Sequence, residues 1–154
     1  LEKQFIDINL KNIYKIFQKI KLKNTNAYIF NVLIIKTNNQ NKNSNKDEVD
    51  YHYDNTLGIT YNNKSIMPYQ ITVLYISLPK KFKNGQLVIN NFCCKKIAKI
   101  IKPEIGKKID FRGDSLHKVN KIFSKKKDYR ISLVFEQYNL PKEKLKEVPN
   151  FLII

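Results

Sequence analysis

The hydrophobic positions change their spacing after the first part of the chain. Over residues 8–21 the apolar side chains recur at helical intervals, at Leu10, Ile13, Tyr14, Phe17 and Ile20. Asp7, just before them, is a residue type that caps helix N-termini. The pattern predicts an amphipathic N-terminal helix that packs on a sheet.

Later segments are instead of strand length and rich in β-branched and aromatic residues. Turn signals separate them, including Pro79, Asn84-Gly85 and Gly113. Short strands at this spacing predict a mostly antiparallel sandwich or barrel. The predicted strands are 27–36, 70–78, 86–92, 107–112 and 128–138.

Two polar stretches lie outside this strand pattern. Residues 37–50 have no apolar period and predict a long mobile loop, which could close over a substrate as a lid. The C-terminal stretch 140–154 carries two prolines and an apolar end. Docking on the sheet and contact with a partner are both open for it.

The first candidate site residues are His52 and Asp54. In a strand, residues two apart point to the same face, so these two side chains can aim at one point while Tyr51 and Tyr53 face away. This is a metal-ligand spacing. By itself it favours a hydrogen-bonded histidine at a strand edge over a metal ligand.

The other histidine, His117, follows a predicted strand and turn in FRGDSLHKV. Two histidines and one carboxylate form the facial triad that leaves coordination positions of a non-heme Fe(II) open. A structural zinc would close its fourth position, usually with cysteine. Cys93 and Cys94 are adjacent and in a separate segment, so reduced thiols without a metal role are the simpler interpretation.

Arg130 is the second unusual residue, because the chain has only one other arginine, Arg112. It lies in the apolar strand DYRISLVF, where its parity places it on one face with Ser132 and Val134. The planar guanidinium binds a carboxylate through two hydrogen bonds, which lysine cannot do. An inward-facing charge needs a counter-ion, whereas pairing with a surface acid is the alternative.

Taken in order along the chain, His52-x-Asp54, His117 and Arg130 resemble the 2-oxoglutarate- and Fe(II)-dependent dioxygenases, and within them the prolyl-4-hydroxylase-like group. The segments TVLYIS, NGQL, IKPEIGKKIDFRGDSLHKV and YRISL are similar to motifs of that group. The resemblance covers about residues 28–138. The sequence departs from the family pattern at three places. Asn84-Gly85 replaces the usual Gly-Gly pair, and FSKKKD lengthens the interval between His117 and Arg130. Glu136 occupies the position where the nucleic-acid demethylase branch has a second arginine.

The resemblance implies a fold and a set of roles. His52, Asp54 and His117 would hold Fe(II), and Arg130 would bind the distal carboxylate of 2-oxoglutarate with help from Tyr75 and Ser132. It implies a mainly β (α+β) fold, a double-stranded β-helix (jelly roll) forming one domain over 1–154. The implied reaction uses 2-oxoglutarate and O2, with ascorbate as an optional reductant, to hydroxylate an unactivated C–H bond, for example of a protein or peptide prolyl residue, releasing succinate and CO2.

The composition adds little on partners. The net charge of +16 favours an acidic protein or peptide as the partner, but lysines are spread along the chain, so nucleic-acid binding is not expected from charge alone. No apolar run is long enough to span a membrane, and a cytoplasmic location is expected. A metal-free jelly-roll binding module and a basic nucleic-acid-binding protein are the alternative functions.

Overall fold

The computed structural model describes residues 11–37, 46–91 and 96–149. Within these residues, one α-helix precedes twelve strands and a short 3-10 helix. The elements are α1 (Lys11–Ile20), β1 (Ala27–Thr37), β2 (Val49–His52), β3 (Thr60–Tyr61), β4 (Lys64–Ser65), β5 (Gln70–Ser77), β6 (Phe82–Asn84), β7 (Leu87–Asn90), β8 (Ile97–Ile101), β9 (Lys108–Arg112), β10 (His117–Val119), β11 (Ile122–Ser124), β12 (Asp128–Tyr138) and the 3-10 helix Lys142–Glu147.

Two four-stranded antiparallel sheets form the body of the fold. One has the strand order β1-β12-β5-β9 and the other the order β2-β10-β7-β8. Strands β11 and β6 form a two-stranded ribbon, as do β3 and β4. The chain crosses repeatedly between the two large sheets, an arrangement compatible with a β-sandwich or jelly roll. The expectation of a mainly antiparallel β fold is confirmed.

The main hydrophobic core lies between these two sheets. Residues at alternate positions of β5 point into it, which confirms that Ile71, Val73 and Tyr75 share a face. Both large sheets contribute fully buried aliphatic side chains, so closing the sandwich removes one contiguous apolar surface from water. The buried members are Ile35, Ile71, Val73, Tyr75, Leu87, Ile89, Ile101, Ile109, Val119 and Ile122.

Helix α1 packs on the outer face of the first sheet, as the sequence predicts. Phe17 is 1% exposed, and its ring meets Phe135 and Tyr28 edge to face at centroid distances of 5.7 and 4.9 Å. Burying such a ring stabilises the fold by about 1.5–3 kcal/mol. The Gln137 amide secures the end of the helix, donating to the Ile20 carbonyl and accepting from the Leu22 N–H.

The sequence pattern misses several short or exposed strands. Strand β2 starts at Val49, inside the segment predicted as loop, and β1 extends to Thr37. Strand β8 has four exposed residues of five, so its pattern gives no alternation of buried and exposed positions. The ribbon strands β6 and β11 have three residues each, too few to show a period.

The described part of the C-terminal stretch docks on the body of the fold. Leu140 is buried beside Tyr138 and Ile59, and Val148 packs against the same cluster. The remaining predictions for 150–154, for Asp7 and residues 8–10 of the helix, for the loop over 38–45 and for Cys93 and Cys94 lie outside the described residues. Among the described residues, no helix is both long and apolar enough to cross a membrane.

Candidate metal centre

The two histidines face each other across the β2–β10 strand pair. His117 is the direct register partner of His52, and their ring centroids lie 4.3 Å apart. The pairing thus joins positions 65 residues apart in sequence, since antiparallel neighbours bring opposite side chains close together. His117 is buried, whereas His52 is partly exposed.

Both imidazole rings are oriented in the same way by backbone carbonyls. His52 Nδ1 lies 2.8 Å from the Asp50 oxygen, and His117 Nδ1 lies 3.0 Å from the Ser115 oxygen. A carbonyl oxygen only accepts hydrogen bonds, so each Nδ1 carries the hydrogen. The Nε2 atom of each neutral ring is then left with its lone pair, the tautomer that binds a metal.

Asp54 completes the cluster from the segment that follows β2. Its Oδ1 lies 3.3 Å from His52 Nε2 and its Oδ2 lies 3.3 Å from His117 Nε2. The ligand atoms of the three residues all lie within 4.8 Å of one another. Tyr51 and Tyr53, which the sequence pattern turns away from the cluster, are exposed.

The electrostatics of the cluster favour an ionised carboxylate. Burial by itself raises the pKa of Asp54, but hydrogen bonds donated by the Nε2–H groups of His117 and His52 in their protonated forms outweigh it and hold this pKa well below its usual range. In turn, the hydrogen bond to Asp54 raises the pKa of His52, although burial opposes the change. When both rings are neutral, the ionised Asp54 and the two Nε2 lone pairs together form a suitable donor set for a divalent cation.

Arg130 is placed in the interior, 1% exposed. Its Nη1 donates to the Gly85 carbonyl at 3.0 Å and its Nε donates to Ser132 Oγ at 3.4 Å. No carboxylate within the described part of the chain forms an ion pair with it, and burial lowers its pKa. Arg130 is therefore buried and not paired with an acid on the surface. Some of its five N–H donors have no acceptor among the described residues.

Tyr75 and Ser132 lie beside this guanidinium. They are direct register partners on β5 and β12, and both are fully buried. The Arg130 Cζ atom lies 5.0 Å from the Tyr75 ring centroid. The Tyr75 hydroxyl has no hydrogen-bond partner among the described residues, and burial raises its pKa. A buried O–H donor beside an unpaired guanidinium fits a carboxylate ligand, which would accept from both groups.

One residue that supports the site has no predicted role, Glu136. Its carboxylate is fully buried and accepts hydrogen bonds from the Thr56 backbone N–H at 3.0 Å, the Thr56 hydroxyl, the Tyr138 hydroxyl and Asn31 Nδ2 at 3.2 Å. Because Thr56 comes two residues after Asp54, Glu136 ties the segment that bears Asp54 to β12. The parity that singles out Arg130 would have identified it, since Glu136 is another charged residue on the inward face of that strand.

The turn before His117 is fixed by a close backbone contact. A Cβ atom at Gly113 would lie 2.0 Å from the Pro68 carbonyl oxygen, so only glycine fits there. On either side of it, Arg112 pairs with Asp114 on the surface and Phe111 packs edge-on against the His117 ring at 4.9 Å. The FRGDSLH segment thus fixes the position of His117 through this backbone contact and the packing of Phe111.

Two solved structures share this fold. One is an oxidoreductase of the 2OG-Fe(II) oxygenase family from Burkholderia pseudomallei, 16% identical, with a TM-score of 0.50, over 81% of this chain and 49% of that one. The other is IDO from Bacillus thuringiensis, 13% identical, with a TM-score of 0.55, over 91% of this chain and 60% of that one. No family model and no curated protein matches the sequence. At these identities the likeness concerns the fold alone, and the chain spans about half to three fifths of the length of these two proteins.

Proposed function

We propose that this protein is a 2-oxoglutarate- and Fe(II)-dependent dioxygenase, with residues 1–154 acting as one domain built on a double-stranded β-helix. The observation that carries the proposal is a His-Asp-His cluster at one sheet together with a buried arginine that forms no ion pair with a carboxylate of the described residues. The order of strands in the two large sheets and the structural likeness to an oxygenase-family protein support it.

The residues that would hold the metal are His52, Asp54 and His117. Each histidine presents Nε2 because its Nδ1 is held by a backbone carbonyl, and Asp54 supplies the negative charge. Three protein ligands leave positions free for a cosubstrate, whereas a structural zinc site has four. Bound there, Fe(II) would supply the redox chemistry by which O2 and 2-oxoglutarate yield succinate, CO2 and a hydroxylated C–H bond.

Arg130 would bind the distal carboxylate of 2-oxoglutarate. The N–H groups of Arg130 and the Tyr75 hydroxyl that have no acceptor among the described residues would both donate to it, and Ser132 holds the guanidinium in place by accepting from Nε. The three side chains are buried, and burial strengthens such charge-assisted hydrogen bonds compared with their strength in water. This pairing would fix the orientation of the cosubstrate toward the histidine cluster.

The substrate class is a protein or peptide, with prolyl residues as the first to test. The support is the resemblance of the motifs to the prolyl-4-hydroxylase-like group and the basic surface, which suits an acidic polypeptide. Ascorbate would serve as an optional reductant.

The experiment that tests the function is an anaerobic titration of the metal-free protein with Fe(II) and then 2-oxoglutarate, followed by visible absorption. We expect a charge-transfer band that needs both additions and is absent from Asp54→Ala. Arg130→Lys should require far more 2-oxoglutarate, because the two-pronged guanidinium is lost. Arg112→Lys, the surface arginine paired with Asp114, is the matched control and should behave as wild type. If the folded wild-type protein shows no band, the proposal of a dioxygenase is wrong and the metal-free binding module is favoured.

A further inference from the structure

The β6–β11 ribbon and the turns at its ends carry a second feature, a basic groove. The groove has a volume of about 980 Å³ and is formed by residues 80–83 and 123–126 together with Asp128. It contains five lysines and a single acidic residue, Asp128. The lysines are Lys80, Lys81, Lys83, Lys125 and Lys126.

Among the described residues, no carboxylate forms an ion pair with any of these five lysines, which lie close together around one concavity. Elsewhere Lys107, Lys108, Lys118 and Lys144 each pair with a carboxylate at 2.6–2.9 Å. All five groove lysines are exposed, and none forms an ion pair within the described ranges. Five like charges gathered around one concavity raise the local concentration of an anionic partner and repel cationic ones.

The groove lies away from the metal cluster along the same pair of chain segments. His117 pairs with Ile89 in the β10–β7 ladder, and the ladder then continues, past a turn on each strand, into the β11–β6 ribbon, where Ser124 pairs with Phe82. The groove and the cluster therefore lie at different positions along this ladder. The groove would hold a part of the partner that is remote from the reacting bond.

The aromatic residues of the groove favour a polypeptide over a nucleic acid. Single-stranded nucleic acids bind where bases can stack on open aromatic faces. Here Phe82 packs against the main core, and Lys121 Nζ lies 5.7 Å from the centroid of the Phe123 ring. The groove also lacks arginine, the side chain that best recognises phosphate through two hydrogen bonds. Exposed ammonium groups without stacking platforms suit carboxylates on a flexible chain.

We propose that this groove binds an acidic segment of a partner polypeptide. The binding itself is independent of the proposed dioxygenase activity. Its role as a docking site for a polypeptide substrate rests on that activity.

Binding of a fluorescein-labelled poly-Glu peptide, measured by fluorescence anisotropy at several salt concentrations, tests the proposal. The groove variant is Lys81→Glu, Lys83→Glu and Lys125→Glu. The matched control, Lys64→Glu, Lys96→Glu and Lys99→Glu, alters three exposed lysines outside the groove and has the same net charge. An exposed ion pair is worth a factor of roughly 1.5 to 5, so the groove variant should lose about tenfold or more in affinity and the control much less.

Equal losses in the two variants, or none in the groove variant, would overturn the proposal, because binding would then follow net charge. A labelled oligo-dT that binds more tightly than poly-Glu and is weakened selectively by the groove variant would also overturn it, in favour of a nucleic acid. The assay needs neither metal nor 2-oxoglutarate. The groove variant should still form the charge-transfer band with Fe(II) and 2-oxoglutarate. If the groove proposal is wrong, the anisotropy assay shows it, whereas if the dioxygenase proposal is wrong, the band is missing from the wild type.

Discussion

Replacing Glu136 by glutamine tests whether a buried carboxylate outside the metal cluster positions Asp54. Glutamine keeps the size and shape of the side chain but turns one acceptor oxygen into an N–H donor. At the Oε2 position that donor would face the Thr56 backbone N–H, which cannot rotate away. At the Oε1 position it would face Asn31 Nδ2 and the Thr56 hydroxyl.

The cost follows from the number and kind of hydrogen bonds. Four donors converge on the Glu136 carboxylate, and a hydrogen bond to a charged group contributes about 1.5–3 kcal/mol whereas a neutral one contributes about 0.5–1.5 kcal/mol. The variant loses one bond and weakens the others. The release of a buried charge offsets part of this loss, so the free energy of unfolding should fall by about 2–3 kcal/mol.

The loss of stability alone does not establish a positioning role, so metal affinity is measured as well. Altering a residue that supports a ligand typically weakens metal binding about 10- to 100-fold, and we expect Glu136→Gln to lie in this range for Fe(II) or Co(II). Tyr138→Phe is the control, because it removes a donor to the same carboxylate and leaves the tie to Thr56 intact. If Glu136→Gln and Tyr138→Phe reduced metal affinity equally, the positioning role would be wrong and Glu136 would only stabilise the fold.

Two further perturbations act on the elements that hold the cluster. Gly113→Ala should lower the free energy of unfolding by about 3 kcal/mol, because the Pro68 backbone must move to make room for the added methyl group. The control is Gly58→Ala, where the space is open but φ is +60°, and it should lower the free energy of unfolding by about 1 kcal/mol. Equal losses for the two variants in denaturant unfolding would contradict the proposed effect of the Gly113–Pro68 contact. On acidification, metal affinity should decline as pH passes downward through the raised pKa of His52, since protons compete for Nε2. In the metal-free protein, Asp54→Asn should move the His52 titration to lower pH by NMR, and an unshifted titration would remove Asp54 as its cause.

The residues that the sequence identifies best are those whose chemistry conflicts with their surroundings. A charged residue in an apolar strand stands out, and period-two parity then assigns its face, which is how Arg130 is found. Tyr75 and Ser132 come from the resemblance, and parity places Tyr75 with Ile71 and Val73 and places Ser132 with Arg130. The helix at Lys11–Ile20 is predictable for a related reason, because its apolar positions repeat every three to four residues. Both kinds of prediction use periodicity within a single element.

What the sequence does not show depends on contacts between distant segments. The His52–His117 register is a property of strand pairing, and nothing local to either histidine encodes it. The three-residue strands of the ribbon exist because they continue the ladder of β10 and β7, and so the basic groove is visible only in the fold. The donors to Glu136 come from three different parts of the chain, at Asn31, Thr56 and Tyr138. No short stretch of sequence contains all of them, so the role of Glu136 in holding the segment after Asp54 is visible only in the fold.

The burial of Arg130 raises an energetic question that decides between a structural and a functional role. Moving a cation out of water costs several kcal/mol, and two hydrogen bonds to neutral acceptors recover only part of it. Replacing a buried charge by an apolar side chain of similar size is often neutral or stabilising. We therefore expect Arg130→Met, without ligand, to leave the free energy of unfolding unchanged or to raise it. A loss above about 3 kcal/mol would mark Arg130 as structural.

The same variant should lose its response to the ligand. In the wild type, an excess of 2-oxoglutarate should raise the melting temperature, because a ligand that binds only the folded state stabilises it by mass action. Arg130→Met should show no such increase, whereas Arg112→Met, a change to the surface arginine, should show the wild-type increase. If Arg130 lowers stability without a ligand and 2-oxoglutarate offsets this loss when it binds, the role of Arg130 is ligand binding and not stabilisation of the fold. An equal increase in Arg130→Met would mean that the carboxylate is bound elsewhere.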